Sequence, residues 1–187
     1  VADVAPEYLA NVDYVGYGVD EATECRAVRI GDSGIVGQRV KITTASGAEF
    51  DITTNYSGRK GAAIVLAAAS MADMLGVATE VIAGAIAKLE PFAGRLQVLD
   101  GVNDSQIIDD TYNSSPLATR AALDVLYAAD ALQKIAILGE MTALGETSAD
   151  EHRPLGEYCR ADELDYVVTI GVPSREYLAP AARETDW

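Results

Sequence analysis

The stretch Ile107-Ile108-Asp109-Asp110-Thr111-Tyr112-Asn113-Ser114-Ser115-Pro116 restricts the fold more than any other part of the chain. Two β-branched residues read as the end of a short buried strand, and Ser115 with Pro116 reads as a helix start, with Ser at the N-cap and Pro at the first helical position. Strand, polar loop and helix in that order form the unit of an open α/β sheet. In such sheets ligands lie beyond the carboxyl ends of the strands, and the following helix offers unpaired N–H groups to an anion. Asp109, Asp110, Tyr112 and Asn113 are therefore expected at a ligand-facing rim. Asp and Asn also populate ordinary turns, because their side chains bond nearby backbone, and the loop by itself leaves both readings open.

Downstream the same alternation continues. The helix from Pro116 carries a stripe of Ala118, Ala122, Val125 and Ala129 with Leu126 beside it. Ile135-Ala136-Ile137-Leu138 is a continuous apolar run, as for a strand buried on both faces. Ser148-Ala149-Asp150-Glu151 matches a capping box, and the helix it opens should turn Leu155, Tyr158 and Cys159 inward. Tyr166 to Ile170 reads as a third strand, and Ser174 as the cap of one more helix. Strand, helix, strand, helix, strand predicts a parallel open sheet with right-handed crossovers. The rims after Ile108, Leu138 and Ile170 then share an edge, which places Asp109 to Asn113, Gly139-Glu140-Met141 and Gly171 around one crevice.

Upstream, Val12 to Tyr17 and Cys25 to Ile30 read as strands separated by a polar stretch, Val19 to Glu24. Gly16-Tyr17-Gly18 is no dinucleotide fingerprint, since Glu21 stands where its third glycine belongs and no helical pattern follows. From Val36 to Thr44 the residues alternate, with Val36, Val40 and Ile42 on one face and Arg39, Lys41 and Thr43 on the other. Phe50 and Ile52 repeat the pattern against Glu49, Asp51 and Thr53, which predicts a half-exposed antiparallel hairpin. Ala62 to Leu75 is apolar nearly all round and closed by Gly76, so a helix buried between other elements is expected after the lead-in Ser57-Gly58-Arg59-Lys60-Gly61. A second helix, with Thr79 as N-cap, sets Ile82, Ile86 and Leu89 on one face before Pro91 stops it. Pro91-Phe92-Ala93-Gly94 is the expected boundary between domains 1–93 and 94–187, and Arg95 to Leu99 with Ser105 to Ile108 should form a hairpin just beyond it.

Composition narrows the partners. With 29 acidic against 14 basic residues, the formal charge of -15 argues against a nucleic-acid or anionic-membrane surface and for a small-molecule partner. Cys25 and Cys159 stand in no metal-ligand spacing and read as reduced structural thiols. No apolar run approaches the roughly 18 residues that span a bilayer, and the cytoplasm is the expected compartment. Val1 is not a natural start and Trp187 follows a helical pattern without a closing element, so a fragment is expected.

The run Asp109 to Pro116 resembles the D-D-[ST]-Y-N-x-[NS]-P signature that opens the C-terminal domain of the Mur ligases. Pro91-Phe92-Ala93-Gly94-Arg95-Leu96 is similar to that family's P-x-x-G-R-L/M linker, and Gly139-Glu140-Met141-Thr142-Ala143-Leu144-Gly145-Glu146 to its G-D/E-M-x-E-L-G loop, with His152 at the position of the histidine that follows. The resemblance implies an α/β chain: part of a Mur ligase central domain, a β-hairpin plus helices, followed by a Rossmann-like C-terminal domain with an open parallel sheet. It implies ATP and Mg²⁺ as cofactors, bound mainly by parts of such a protein outside these residues. It implies addition of D-Ala-D-Ala to a UDP-linked muramoyl peptide through an acyl phosphate, by a monomer. By the same resemblance Arg95 would reach the phosphates and Asp110 the ribose, while Asp109, Tyr112, Asn113 and Lys60 complete the nucleotide contacts. Glu140, Met141 and His152 would face the other substrates. No residue receives a metal or an assigned catalytic step.

Two departures stand out. Where the most similar members carry G-R-H-N-x-x-N at the start of the Ala-rich helix, with asparagines that help hold adenine, this chain has Gly58-Arg59-Lys60-Gly61-Ala62-Ala63-Ile64. It also contains no G-x-x-x-x-G-K-[ST] phosphate loop. A non-catalytic binding module on the same fold, or a ligase for another acid of the folate or cyanophycin type, is the alternative expectation.

Overall fold

The computed structural model describes residues 15–19, 23–32 and 34–185. They fall into two compact units, one ending at Glu90 and the other beginning at Pro91. Among the described residues no helix is long and apolar enough to cross a membrane.

The first unit is a four-stranded sheet in the order β1 (Tyr17–Val19), β2 (Cys25–Asp32), β3 (Gln38–Thr43), β4 (Glu49–Thr54), with α1 (Gly58–Met74) and α2 (Thr79–Ile86) packed on it. β1 runs parallel to β2, and the other neighbours are antiparallel. The start of the expected first strand, Val12 to Tyr14, lies outside the described residues; Val19, expected in the polar link, is a buried strand residue. The predicted hairpin is present, with Val40, Ile42 and Ile52 buried. Val36 does not join it. A Cβ at Gly37 would run into the Thr54 carbonyl, the ladder begins one residue later, and Gln38 takes the inward place. The NH2 half of that buried amide is satisfied, since Gln38 Nε2 donates to the carbonyls of Tyr56 (2.7 Å) and Gly58 (2.8 Å) and so ties β3 to the entry of α1, while Oε1 is buried without a partner.

α1 starts earlier than the apolar pattern implies and takes Arg59 and Lys60 into its first turn. It ends as predicted: Gly76 has φ +77°, its N–H bonds the Asp73 carbonyl, and the Val77 N–H bonds that of Ala72, the paired closure of a Schellman motif. The expectation of burial all round is not met. Ala62, Val65, Leu66 and Ala69 enter the core, whereas Ile64, Met71, Met74 and Leu75 face outward, because the sheet covers only one side. In α2, Ala78 is the cap position and Thr79 the first helical residue; Ile82 and Ile86 are buried, but the helix ends before Leu89 can join them.

The second unit holds a hairpin, β5 (Gln97–Asp100) with β6 (Gln106–Asp109), then α3 (Pro116–Tyr127), β7 (Ile135–Gly139), α4 (Ser148–Glu157), β8 (Tyr166–Ile170), a π-helical turn Ser174–Leu178 and α5 (Ala179–Arg183). β7 and β8 are parallel. The three-stranded parallel sheet expected from the alternation is not formed, because β6 is hydrogen-bonded to β5 alone. The short link between them, closed by the Gly101 N–H on the Ser105 carbonyl (2.8 Å), makes that antiparallel pairing cheap in loop entropy. Nor are β7 and β8 buried on both faces: Ala136 and Leu138 point into the core, while Ile135, Ile137, Tyr166, Val168 and Ile170 are exposed.

Ser115 caps α3 as predicted, accepting the Ala118 N–H (3.3 Å), with Pro116 in the first turn. Its buried residues are Leu123, Val125 and Tyr127; of the expected stripe Val125 is buried and Leu126 packs against the core, while the larger Leu123 and Tyr127, four residues apart, take the places the alanines were expected to fill. The capping box at Ser148 is absent, because a 3₁₀ turn (Gly145–Thr147) precedes α4, Thr147 occupies the cap position and Ser148 is already helical. Ser174 likewise caps nothing and is buried. Leu66 is fully buried in the first unit's core, so Leu66→Ala should lower the unfolding free energy by about 2–5 kcal/mol in urea denaturation of the whole chain.

Candidate functional site

The junction at Gly94 brings Arg95, Asp110 and Tyr112 into one corner of the second unit. Gly94 adopts φ +71°, and a Cβ there would stand 2.9 Å from the Tyr112 nitrogen, so only glycine lets the two backbones meet. Its carbonyl accepts the Tyr112 N–H (3.1 Å), and the Leu96 N–H donates to Asp110 Oδ1 (3.0 Å). Between those two bonds the Arg95 guanidinium lies 4.1 Å over the Tyr112 ring. At an exposed position such a stack contributes about 0.5–1 kcal/mol, and it leaves the in-plane N–H donors of Arg95 unused by the ring. Tyr112 is 71% exposed and offers a flat surface.

Asp109 turns back on its own loop, with Oδ1 accepting the Thr111 N–H (3.1 Å) and Oγ1–H (2.7 Å). Asn113 is exposed and caps the Ser114 N–H (3.0 Å). Both are locked in turn geometry, the reading left open from sequence. Leu96, held at φ +53°, was not singled out from the sequence; the glycine two residues before it was the available signal.

A second rim lies beyond the ends of β7 and β8, where Gly139 pairs with Ile170. Glu140 is exposed and rests against Gly171, which has φ +97°. The rim residues Glu140 and Gly171 therefore meet as the alternation predicted. Asp109 to Asn113 belong to no strand end of this sheet, so the single crevice expected from three parallel strands is not built from it. Met141 turns its side chain into the core (3% exposed) instead of toward a ligand. His152 is wholly buried: Nε2 lies 3.0 Å from the Met141 nitrogen and Nδ1 lies 2.7 Å from the Ser148 carbonyl.

Lys60 stands half-buried in the first turn of α1, in the first unit. The adjacent departures have a structural basis. At Gly61 a Cβ would lie 2.6 Å from the carbonyl carbon and oxygen of Tyr56, so an asparagine cannot stand there without moving the backbone, and Ile64 presents an exposed apolar side chain.

Two groups in the second unit's core are held protonated by burial. Burial pushes the Tyr127 phenol up to about 12, against hydrogen bonding and the nearby Arg160 charge, and pushes the Cys159 thiol up to about 11. Tyr158 is raised mainly by donating to Asp124. Both cysteines are free and buried, as expected of structural thiols.

An arginine, a stacked tyrosine and an aspartate at the start of the second unit, and a glutamate beyond two parallel strands, are set out as in an α/β module whose strand ends carry its polar residues. Residues 94–185 match the model of the Mur ligase glutamate ligase domain. Over those residues the chain is a Mur ligase C-terminal domain. It is 32% identical over 123 residues to the UDP-N-acetylmuramoyl-tripeptide--D-alanyl-D-alanine ligase of Haemophilus influenzae, covering 66% of this chain and 27% of that protein. It superposes on MurF from Acinetobacter baumannii with a TM-score of 0.78 and 27% identity, over 91% of this chain and 35% of that one. The fold is also that of the MurF ligase from Thermotoga maritima in complex with ADP, with a TM-score of 0.79 and 22% identity over 94% of this chain and 40% of that one. The chain spans only 26% to 30% of the length of several curated relatives that it matches.

Two outcomes test this geometry. Gly171→Ala combines a left-handed backbone with a Cβ 2.5 Å from Glu140 Oε2, and should cost about 1 kcal/mol or more in chemical denaturation. Because the unfolded phenol titrates at 10.0 and the folded Tyr127 at about 12, the folded state holds the proton longer; its stabilisation is full below pH 10 and is lost as pH rises toward 12. Tyr127→Phe should flatten that alkaline fall in a series of unfolding curves.

Proposed function

We propose that these residues form part of an ATP-dependent amide-bond ligase that adds D-alanyl-D-alanine to a UDP-linked muramoyl tripeptide, a step in making a peptidoglycan precursor. The names of the relatives support the substrate pair, and the ADP complex of a protein of the same fold supports the nucleotide. The observation that carries the reading is the Arg95–Tyr112–Asp110 corner, which offers a charged donor set, a flat ring and a carboxylate together at the exit of the linker.

In the proposed reaction a substrate carboxylate takes the γ-phosphoryl group of ATP, giving an acyl phosphate and ADP. The amine nitrogen then bonds the acyl carbon, the bond to the phosphate oxygen breaks, and phosphate and a proton leave. Phosphoryl transfer of this kind depends on positioning and charge neutralisation. Arg95 supplies in-plane donors for phosphate oxygens, Asp110 an acceptor for ribose hydroxyls, and Tyr112 with Asn113 the wall beside them. Lys60, which belongs to the first unit, is taken by itself as a nucleotide contact, and Asp109 keeps the loop in shape. Glu140 receives the incoming ammonium, while Met141 and His152 hold it in place from behind. Mg²⁺ has no fit among the described residues, where no group of three His, Cys, Asp or Glu side chains could hold it, and no step is assigned to it.

A second reading, a non-catalytic module or a ligase for another acid, is favoured by Gly61 and Ile64 at the positions where asparagines would help hold adenine. The two readings part in one titration. With ADP added to the purified 187 residues, the nucleotide reading expects weak binding, on the order of 1 mM, with NMR shifts centred on Arg95, Asp110 and Tyr112 that vanish in Arg95→Ala. It expects no release of phosphate from ATP, since the phosphate loop is not in this sequence. ADP shifts that avoid those residues would favour the module, and ATP turnover by these residues alone would overturn the division of labour.

A further inference from the structure

His152 is the only histidine in the chain and is fully buried, and neither of its ring nitrogens is left over. The Met141 backbone N–H can only donate, so Nε2, 3.0 Å away, must accept. Nδ1 therefore carries the ring proton and donates it to the Ser148 carbonyl at 2.7 Å. The Ser148 hydroxyl, 3.3 Å from the same nitrogen, is a weaker neighbour. The ring thus bridges the first turn of α4 to the peptide that joins Glu140 to Met141. One residue on, the Met141 side chain is anchored in the core; on the other side, Glu140 lies against Gly171. Rotation of the Glu140–Met141 peptide would break the bond to the fully buried Nε2, where a lost partner is costly.

We propose that His152 is a positioning residue: through the Met141 N–H it fixes the backbone that aims Glu140 at the rim shared with Gly171, and it touches no substrate itself. For the purpose of that aim the inference rests on the proposed role of Glu140 as the ammonium acceptor. The mechanical claim stands apart from it and is read without any ligand.

Because one histidine contributes all imidazole signals, a long-range ¹⁵N–¹H spectrum of the 187-residue chain reports this ring alone. The expected result is the Nδ1–H form, the minority tautomer of free imidazole, with Met141 among the slowly exchanging amides. His152→Leu keeps bulk and removes the acceptor, and should speed Met141 exchange about tenfold or more while the amides of β7 and β8 keep their protection. His152→Gln restores an acceptor at similar reach and should recover most of the protection. An Nε2–H ring, or Met141 exchange unchanged in His152→Leu, would overturn the proposal. If His152→Leu unfolds the unit, the tautomer in the unaltered chain and the Gln variant decide. Failure here leaves the ADP titration untouched, and failure of that titration leaves the tautomer untouched.

Discussion

The bond from the Tyr112 N–H to the Gly94 carbonyl holds together what the rest of the candidate site needs. It works only because Gly94 has no side chain and a left-handed backbone, so that the end of the linker can lie against the acid-rich loop. Once it is made, Leu96 meets Asp110 and Arg95 falls over the Tyr112 ring, without a long search by flexible side chains. Preorganisation of this kind matters for an arginine, whose free side chain loses considerable rotamer entropy on binding an anion.

The linker is pinned from the other side as well. Asn55 Nδ2 donates to the Leu89 carbonyl (3.1 Å) and to Glu90 Oε1 (2.9 Å), and the Tyr56 hydroxyl donates to the Glu90 carbonyl (3.1 Å). Each unit thus holds its own end of the connection, and Pro91, Phe92 and Ala93 are the residues between the two sets of bonds.

Local signals in the sequence were read correctly where one residue type has one physical job. Ser115 and Pro116 start a helix, Gly76 ends one, and the alternation from Val40 to Ile52 makes a hairpin. Long-range pairing was less legible. The hairpin that pairs Ile107 and Ile108 with β5 was expected and is formed, but the further parallel pairing of the same strand with β7 or β8, suggested by the strand–helix alternation, is not. The alternating burial of Ile135 to Leu138 could not be read from a run that is apolar throughout, because which side the helices cover is decided elsewhere in the chain. At the site, Arg95, Asp110 and Tyr112 were recognisable from a motif, but their mutual contact depends on a backbone approach at Gly94 that no periodicity encodes. His152 was visible as a motif position, whereas its place between two backbone groups depends on the 3₁₀ turn that precedes α4.

The linker and the acid-rich loop form one ordered corner without any ligand. Scalar couplings across hydrogen bonds test it most directly, from the Tyr112 nitrogen to the Gly94 carbonyl carbon and from the Leu96 nitrogen to the Asp110 carboxyl carbon. A measurable coupling is expected for the first pair, a contact between Leu96 and Asp110 for the second, and Arg95 side-chain protons shifted upfield by the Tyr112 ring. Absent coupling together with Arg95 and Tyr112 shifts of an unstructured chain would contradict it.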